Sequence, residues 1–213
     1  MDNEKITIVI CCAGMGTRLG IGSTKALINI DGVPLIIRIL ELLKDYSDIR
    51  IVVGYQADKV IEVVTEYRKD IMFVFNYNFA NNGIVESFNK ALPYGREYIV
   101  EIDGDLLINP EDFDKFMKFP DECLGINNIS SDNPVFVNTI KQDIINFDIK
   151  NGEYEWTGLL KVKSDKLGKK GDFLYEILNP ILPLKYLKVR AKDIDTADDY
   201  EKALVWFSNG MKE

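Results

Sequence analysis

Apolar residues follow two rhythms along this chain. Short β-branched runs at Ile6–Cys12, Ile49–Val53, Ile71–Phe75 and residues 98–102 alternate with stretches whose apolar positions recur at helical spacing. The first rhythm predicts buried strands and the second amphipathic helices. Pro34 opens one helix, with Leu35, Ile36, Ile39, Leu40 and Leu43 on a common face; residues 57–69 and 84–92 predict two more. Leu27, Ile28 and Ile30 before the Asp31-Gly32 turn predict a further short strand over 27–30. Regular alternation of this kind builds βαβ units, so residues 1–105 are expected to form a three-layer α/β half around a parallel sheet.

The rhythm changes after residue 105. Residues 135–140, 144–149 and 157–162 predict strands with no long helix between them, and Asn151-Gly152 is a strong turn signal. Residues 186–190 predict a last strand, Asp195-Thr196 a helix start, and Ala197–Ser208 a closing helix. No repeat, low-complexity tract or linker interrupts the chain, so residues 1–213 are expected to form one domain. Residues 106–213 are then a small β extension covering one side of the site.

Composition narrows the chemistry. A formal net charge of −8 argues against nucleic acid or an anionic membrane as partner, because both require a basic face. There is no histidine, which removes imidazole acid–base catalysis and histidine-bound zinc. Cys11, Cys12 and Cys123 form no CxxC pair and read as reduced core residues, consistent with a cytoplasmic protein. The N-terminal apolar run is too short and too acidic in its flank for a signal peptide, and no stretch reaches transmembrane length.

The segment with the strongest chemical signal is residues 11–25. It puts Gly14, Gly16, Gly20 and Gly22 with Arg18 and Lys25 directly behind the first strand, a composition suited to cradling phosphates. A dinucleotide fingerprint fails because Leu19 stands where the third glycine is needed; a P-loop fails because no Gly-Lys pair occurs in the loop. What fits is Ala13-Gly14-x-Gly16-Thr17-Arg18-Leu19, then Lys25-Ala26-Leu27, then Asp31-Gly32-x-Pro34-Leu35. This resembles the N-terminal signature of the sugar-phosphate nucleotidyltransferases, the MobA-like and GT-A-like NTP transferases, and is most similar to their phosphocholine and phosphonate cytidylyltransferase branch.

The resemblance implies a Rossmann-like fold with a mixed, mostly parallel central sheet. It also implies transfer of a nucleotidyl group from an NTP, favouring CTP, to a small phosphorylated alcohol, amino alcohol, phosphonate or sugar, with Mg²⁺ bound and pyrophosphate released. Carried over residue by residue, Cys12, Ala13, Gly14, Met15, Gly16 and Thr17 would hold the nucleotide, with Arg18 and Lys25 as catalytic cations. Asn82-Gly83 and Ser87 resemble the base-recognition loop and helix, Asp103 a nucleotide contact, and Asp105 and Asp195 the metal ligands. Lys150 resembles a second catalytic lysine, and Tyr154, Trp156 and Asp193 would meet the acceptor. Two alternatives remain at this stage: a glycosyltransferase using Asp103-Gly104-Asp105 as its DxD element, and a nucleotide-binding regulatory domain without turnover.

Overall fold

The computed structural model describes residues 2–20, 22–81, 83–168 and 170–212. Its strands are β1 (Ile6–Cys12), β2 (Asn29–Ile30), β3 (Val33–Pro34), β4 (Ile49–Val53), β5 (Ile71–Phe75), β6 (Tyr98–Asp103), β7 (Leu106–Ile108), β8 (Cys123–Asn127), β9 (Phe136–Ile140), β10 (Asp143–Asp148), β11 (Tyr154–Lys163), β12 (Leu184–Lys188) and β13 (Ala191–Asp193). The helices are α1 (Leu35–Leu42), α2 (Ala57–Tyr67), α3 (Ile84–Ala91), α4 (Pro110–Lys118), α5 (Leu174–Leu178) and α6 (Ala197–Ser208).

Nine strands form one sheet in the order β5-β4-β1-β6-β11-β8-β12-β10-β9. β5, β4, β1 and β6 are mutually parallel, as apolar runs buried on both faces require. β11 then runs antiparallel to both β6 and β8. β12 restores the first direction beside β8, so only β11 and β10 run against the other seven. The start of β11 also pairs with β9, through Tyr154 to Val137 and Glu155 to Phe136, which curls the late strands into a small closed ring. That ring is the β extension expected from residues 106–213.

Helices α1, α2 and α4 pack their apolar faces on one side of the sheet and α3 and α5 on the other. In α1, residues Leu35, Ile36, Ile37, Ile39 and Leu40 are all buried. Among the described residues, no helix is long and apolar enough to cross a membrane.

One predicted strand takes a different form. Residues 25–27 make a single 3₁₀ turn, and only Asn29–Ile30 pairs, in a hairpin with Val33–Pro34. The cause is local: Asp31 and Gly32 both adopt positive φ, the geometry of a two-residue Asp-Gly hairpin turn, so the chain reverses before a longer strand can form.

Two partly buried ion pairs give the fold an acid sensitivity. The hydrogen bonds from Arg190, at 2.6 and 3.1 Å, hold the Asp112 carboxyl below its ordinary range. At Asp48 burial opposes the charge, but hydrogen bonds from Arg50 and Thr7 outweigh it and again lower the pKa. A carboxyl depressed in the folded state stabilises above its unfolded pKa, and that contribution disappears as pH falls through the folded value. Stability should therefore be flat near neutrality and fall below about pH 4. Urea midpoints followed from neutral to acid pH should show a shallower acid slope for Asp112→Asn than for the wild type; parallel slopes would refute this.

Candidate active site

Three sequence-distant segments meet at the carboxyl ends of the parallel strands, where open α/β sheets bind ligands. β1 releases its loop next to β6, with Cys11 paired to Asp103. β13 pairs with β7 through Asp193 and Leu106, and the Ile194 N–H donates to the Asp105 carbonyl at 3.2 Å. This short ribbon brings the C-terminal aspartates to the end of β6. Within it the carboxylates of Asp105, Asp193 and Asp195 lie within 4.8 Å of one another.

Two cations from the glycine-rich loop enter the same cluster. The Lys25 ammonium donates to Asp105 at 2.7 Å and to Asp195, and the Arg18 guanidinium pairs with Asp195 at 2.8 Å. Burial works against the Lys25 charge, but the Asp105 carboxylate and the hydrogen bonds Lys25 donates to both aspartates raise its pKa above the usual lysine value. Desolvation in the cleft, then the charge of Asp105, raises Asp103; Asp193 is raised by the same two causes in the same order, with Asp195 adding to them. Asp193 opens to solvent on one side and faces the Asp105 and Asp195 carboxylates on the other.

Four aspartates facing two cations leave an excess of negative charge. Hard oxygen donors at this spacing, already bridged by an ammonium, suit a hard divalent cation. Asp105, Asp193 and Asp195 are the residues that would hold it. Asp193, expected to face the acceptor, thus also belongs to the carboxylate cluster.

The loop itself is braced by the turn after β4. Tyr55 N–H donates to the Ala13 carbonyl at 3.0 Å, Gln56 Nε2 donates to the Gly22 carbonyl at 3.0 Å, and Thr24 N–H donates to Gln56 Oε1 at 3.3 Å. The expected nucleotide contacts Cys12, Ala13, Gly14, Gly16, Thr17, Gly83, Ser87 and Asp103 line one cavity, together with the expected catalytic cations Arg18 and Lys25 and the expected metal ligand Asp105. Met15 is exposed and outside that lining, and Asn82 lies outside the described residues. Gly83 has a packing reason of its own, since a Cβ there would stand 2.5 Å from the Asp172 carbonyl oxygen. Burial raises the Cys11 and Cys12 thiols well above their ordinary range, so both act as inert walls.

A second cavity adjoins the first through Asp103, which lines both. Trp156 and Asp193 line it, as do Ser130, Asn133 and Lys192. The Glu155 carboxylate fixes its roof by accepting hydrogen bonds from the backbone and hydroxyl groups of Ser130 and Ser131, at 2.8 to 3.0 Å.

The structure does not bring every expected acceptor residue here. Lys150 sits exposed on the turn between β10 and β11, its N–H bonded to Asp148, outside both cavity linings. Tyr154 lies outside the lining too, and its ring is covered by the Lys188 ammonium at 4.7 Å. Trp156 packs edge-on against Phe147 and donates its indole N–H to the Leu159 carbonyl at 3.0 Å, so its ring is used in packing.

Residues 8–123, more than half of the chain, match the MobA-like NTP transferase domain. The chain belongs to this family. Among curated relatives, the bifunctional protein GlmU of Sulfurimonas denitrificans is 31% identical over 122 residues, 55% of this chain and 27% of that protein. The 3-deoxy-manno-octulosonate cytidylyltransferase of Agrobacterium fabrum is 31% identical over 107 residues, 49% of this chain and 41% of the relative. The chain thus spans less than half the length of these relatives. Among solved structures, the inositol-1-phosphate CTP transferase of T. maritima superposes with a TM-score of 0.81 at 20% identity, covering 98% of this chain and 96% of its own. The CTP:phosphocholine cytidylyltransferase LicC of Streptococcus pneumoniae gives 0.75 at 19% identity, covering 95% and 99%. At these identities the likeness establishes the fold, a nucleotidyltransferase-type mixed α/β sheet.

Family membership makes one close approach in the site informative. Gly158 in β11 has φ +88°, and a Cβ on it would lie 2.5 Å from Asp103 Oδ2. Gly158→Ala should therefore displace Asp103 at the junction of the two cavities and add backbone strain of about 1 to 3 kcal/mol. Its expected signature is a lowered melting temperature together with reduced turnover; unchanged values for both would contradict this packing.

Proposed function

We propose that this chain transfers a nucleotidyl group from an NTP, with CTP favoured, to a phosphorylated small molecule and releases pyrophosphate. The observation that carries the proposal is the Lys25 ammonium bridging Asp105 and Asp195 beside a glycine-rich loop, with an adjoining cavity that shares Asp103. An acceptor phosphate oxygen would attack the α-phosphorus, forming one P–O bond as the α–β bridging bond breaks and pyrophosphate leaves with the electron pair. The attacking phosphate is already anionic at neutral pH, so the absence of histidine is no obstacle.

The loop backbone from Ala13 to Thr17 would orient the triphosphate, while Arg18 and Lys25 stabilise charge as it shifts to the leaving group. A divalent cation held by Asp105, Asp193 and Asp195 would supply Lewis-acid charge neutralisation. Lys192 lines the second cavity from β13, its ammonium 5.7 Å from the Trp206 ring, and would meet the acceptor phosphate, whereas Lys150, expected as a second catalytic lysine, stands outside both cavities.

Names of the matched proteins favour CTP: two of the solved neighbours are CTP enzymes and one curated relative is a cytidylyltransferase. The second cavity favours a hydroxyl-bearing acceptor. Its walls carry Asn133, Thr157 and the Ser130–Ser131 segment, and the rings of Tyr154 and Trp156, which could have caged a quaternary ammonium, are engaged elsewhere. A phosphorylated polyol or sugar is therefore expected to outrank phosphocholine. Pyrophosphate release measured for CTP, UTP, GTP and ATP against hexose 1-phosphates, inositol phosphate, phosphocholine and aminoethylphosphonate tests both choices. Phosphocholine as the best acceptor would refute the acceptor reading, and a purine triphosphate as the best donor would refute the CTP reading.

A further inference from the structure

A buried polar pair stands behind the wall of the glycine-loop cavity formed by Gly83, Ile84 and Ser87, the wall that would meet the base if the cavity takes an NTP. Asn76 follows β5 and is 1% exposed; its Nδ2 donates to the Ser87 hydroxyl of α3 at 2.8 Å. The orientation of the Asn76 amide is fixed by chemistry. Its Oδ1 accepts from the Asn78 backbone N–H at 3.2 Å, and because a backbone N–H can only donate, the amide NH₂ must be the group facing Ser87. Asn76 is itself anchored by its N–H to the Val53 carbonyl at 2.8 Å, which extends the ladder between β5 and β4.

Fixing the amide also fixes the polarity of the hydroxyl. Ser87 Oγ is an acceptor toward Asn76, this is its one hydrogen bond among the described residues, and Ser87 lines the cavity. Its proton is left for whatever occupies that end. A buried hydroxyl that cannot place its proton loses the desolvation cost of the donor, so an acceptor atom on the ligand is favoured.

We infer that Asn76 is a specificity-determining positioning residue, locking Ser87 as a hydrogen-bond donor to the pairing edge of the base. This arrangement prefers a pyrimidine whose ring nitrogen is a bare acceptor, as N3 of cytosine is, to one whose ring nitrogen carries a proton, as in uracil. The inference rests on the reading of this cavity as an NTP site.

Asn76→Asp tests it with little change in shape. A carboxylate at position 76 still accepts from Asn78 but now also accepts from Ser87, turning the hydroxyl proton away from the cavity and leaving a lone pair there. The measurement is calorimetric binding of CTP and UTP with MgCl₂, which needs no acceptor substrate. Wild type should prefer CTP, and Asn76→Asp should reduce the CTP-to-UTP affinity ratio by about tenfold. Ser87→Ala, which keeps the helix and removes the donor, should reduce the ratio in the same direction and serves if Asn76→Asp does not fold. A purely structural role for Asn76 would lower the melting temperature and leave the ratio alone. Equal wild-type affinity for CTP and UTP, or an unchanged ratio in the folded variants, overturns the inference while leaving the NTP site standing. A wild-type chain that binds none of the four nucleoside triphosphates overturns the NTP site itself, and this inference with it.

Discussion

Replacing Lys25 with methionine is expected to lower the turnover number for pyrophosphate release by about two to three orders of magnitude, the usual cost of losing a preorganised charge at a developing anion. Lys25 is the one side chain that contacts both Asp105 and Asp195 among the described residues, and little of it reaches solvent. Its ammonium is held charged by those partners, so it is available to phosphate oxygens across the whole neutral range. The substitution also leaves the aspartates facing one another with Arg18 as their remaining counter-charge. The folded state should survive, because Lys25 lies on a loop turn at the cleft and outside the hydrophobic clusters. A circular dichroism spectrum like that of the wild type, with turnover nearly abolished, is the expected pair of results. Near-normal turnover would remove Lys25 from the reaction.

The second large effect is on stability. Lys161 in β11 is fully buried, and its ammonium donates to the carbonyls of Phe116, Met117 and Phe119 at 3.0, 3.2 and 2.6 Å. These carbonyls end α4, where the helix leaves acceptors without internal partners and where its dipole favours a cation. Burial lowers the Lys161 pKa, which marks the cost of keeping this group inside. Lys161→Met preserves the length and apolar stem but strands the Met117 and Phe119 carbonyls, at about 1 to 3 kcal/mol for each one left unsatisfied, and leaves the Phe116 carbonyl only its 3.3 Å bond from the Phe119 N–H. The carbonyls can relax partly, so the total loss is expected at about 2 to 5 kcal/mol. Urea unfolding monitored by fluorescence should show a large drop in midpoint with little change in slope. A stability within about 0.5 kcal/mol of wild type would show that the helix end needs no such donor.

Lys161 also illustrates what the sequence conceals. Within an otherwise apolar strand it reads as an outward position, and only the antiparallel pairing of β11 with β6 and β8 turns it under α4. The first four sheet strands and helices α1 to α3 are legible because parallel strands buried on both faces must be continuous apolar runs, with periodic helices between them. The glycine-rich loop is legible because its residue types are unusual. By contrast β7 and β13 are three residues each, too short to show any period, yet their pairing carries Asp193 and Asp195 to Asp105. α4 is hidden by the polar first half of its sequence, although Asn109 followed by Pro110 is a start signal: the Asn109 side chain accepts from the Glu111 and Asp112 N–H groups.

The acceptor side was the least legible for a related reason. Lys150 sits beside a turn and Trp156 in a strand at suggestive spacing from Gly158, but the ring closure between β9 and β11 decides which of these face the cavity. Lys192 alternates with Asp193 on β13, and its place in the cleft follows from the β7 pairing alone. Gln56 and Asn76 carry no signal in one dimension, since Gln56 acts through Gly22 and Thr24, more than thirty residues away, and Asn76 through Ser87 on the next helix.

The central claim is the formation of a new diphosphate bond at the α-phosphorus. It is tested most directly by phosphorus NMR of the purified chain with CTP, MgCl₂ and a phosphorylated polyol or sugar acceptor. The account predicts that CTP signals decline as a new pair of coupled diphosphate resonances and free pyrophosphate grow in equal amounts, with Lys25→Met giving neither. Loss of CTP to orthophosphate alone, or turnover of a nucleotide sugar in place of the triphosphate, would contradict it.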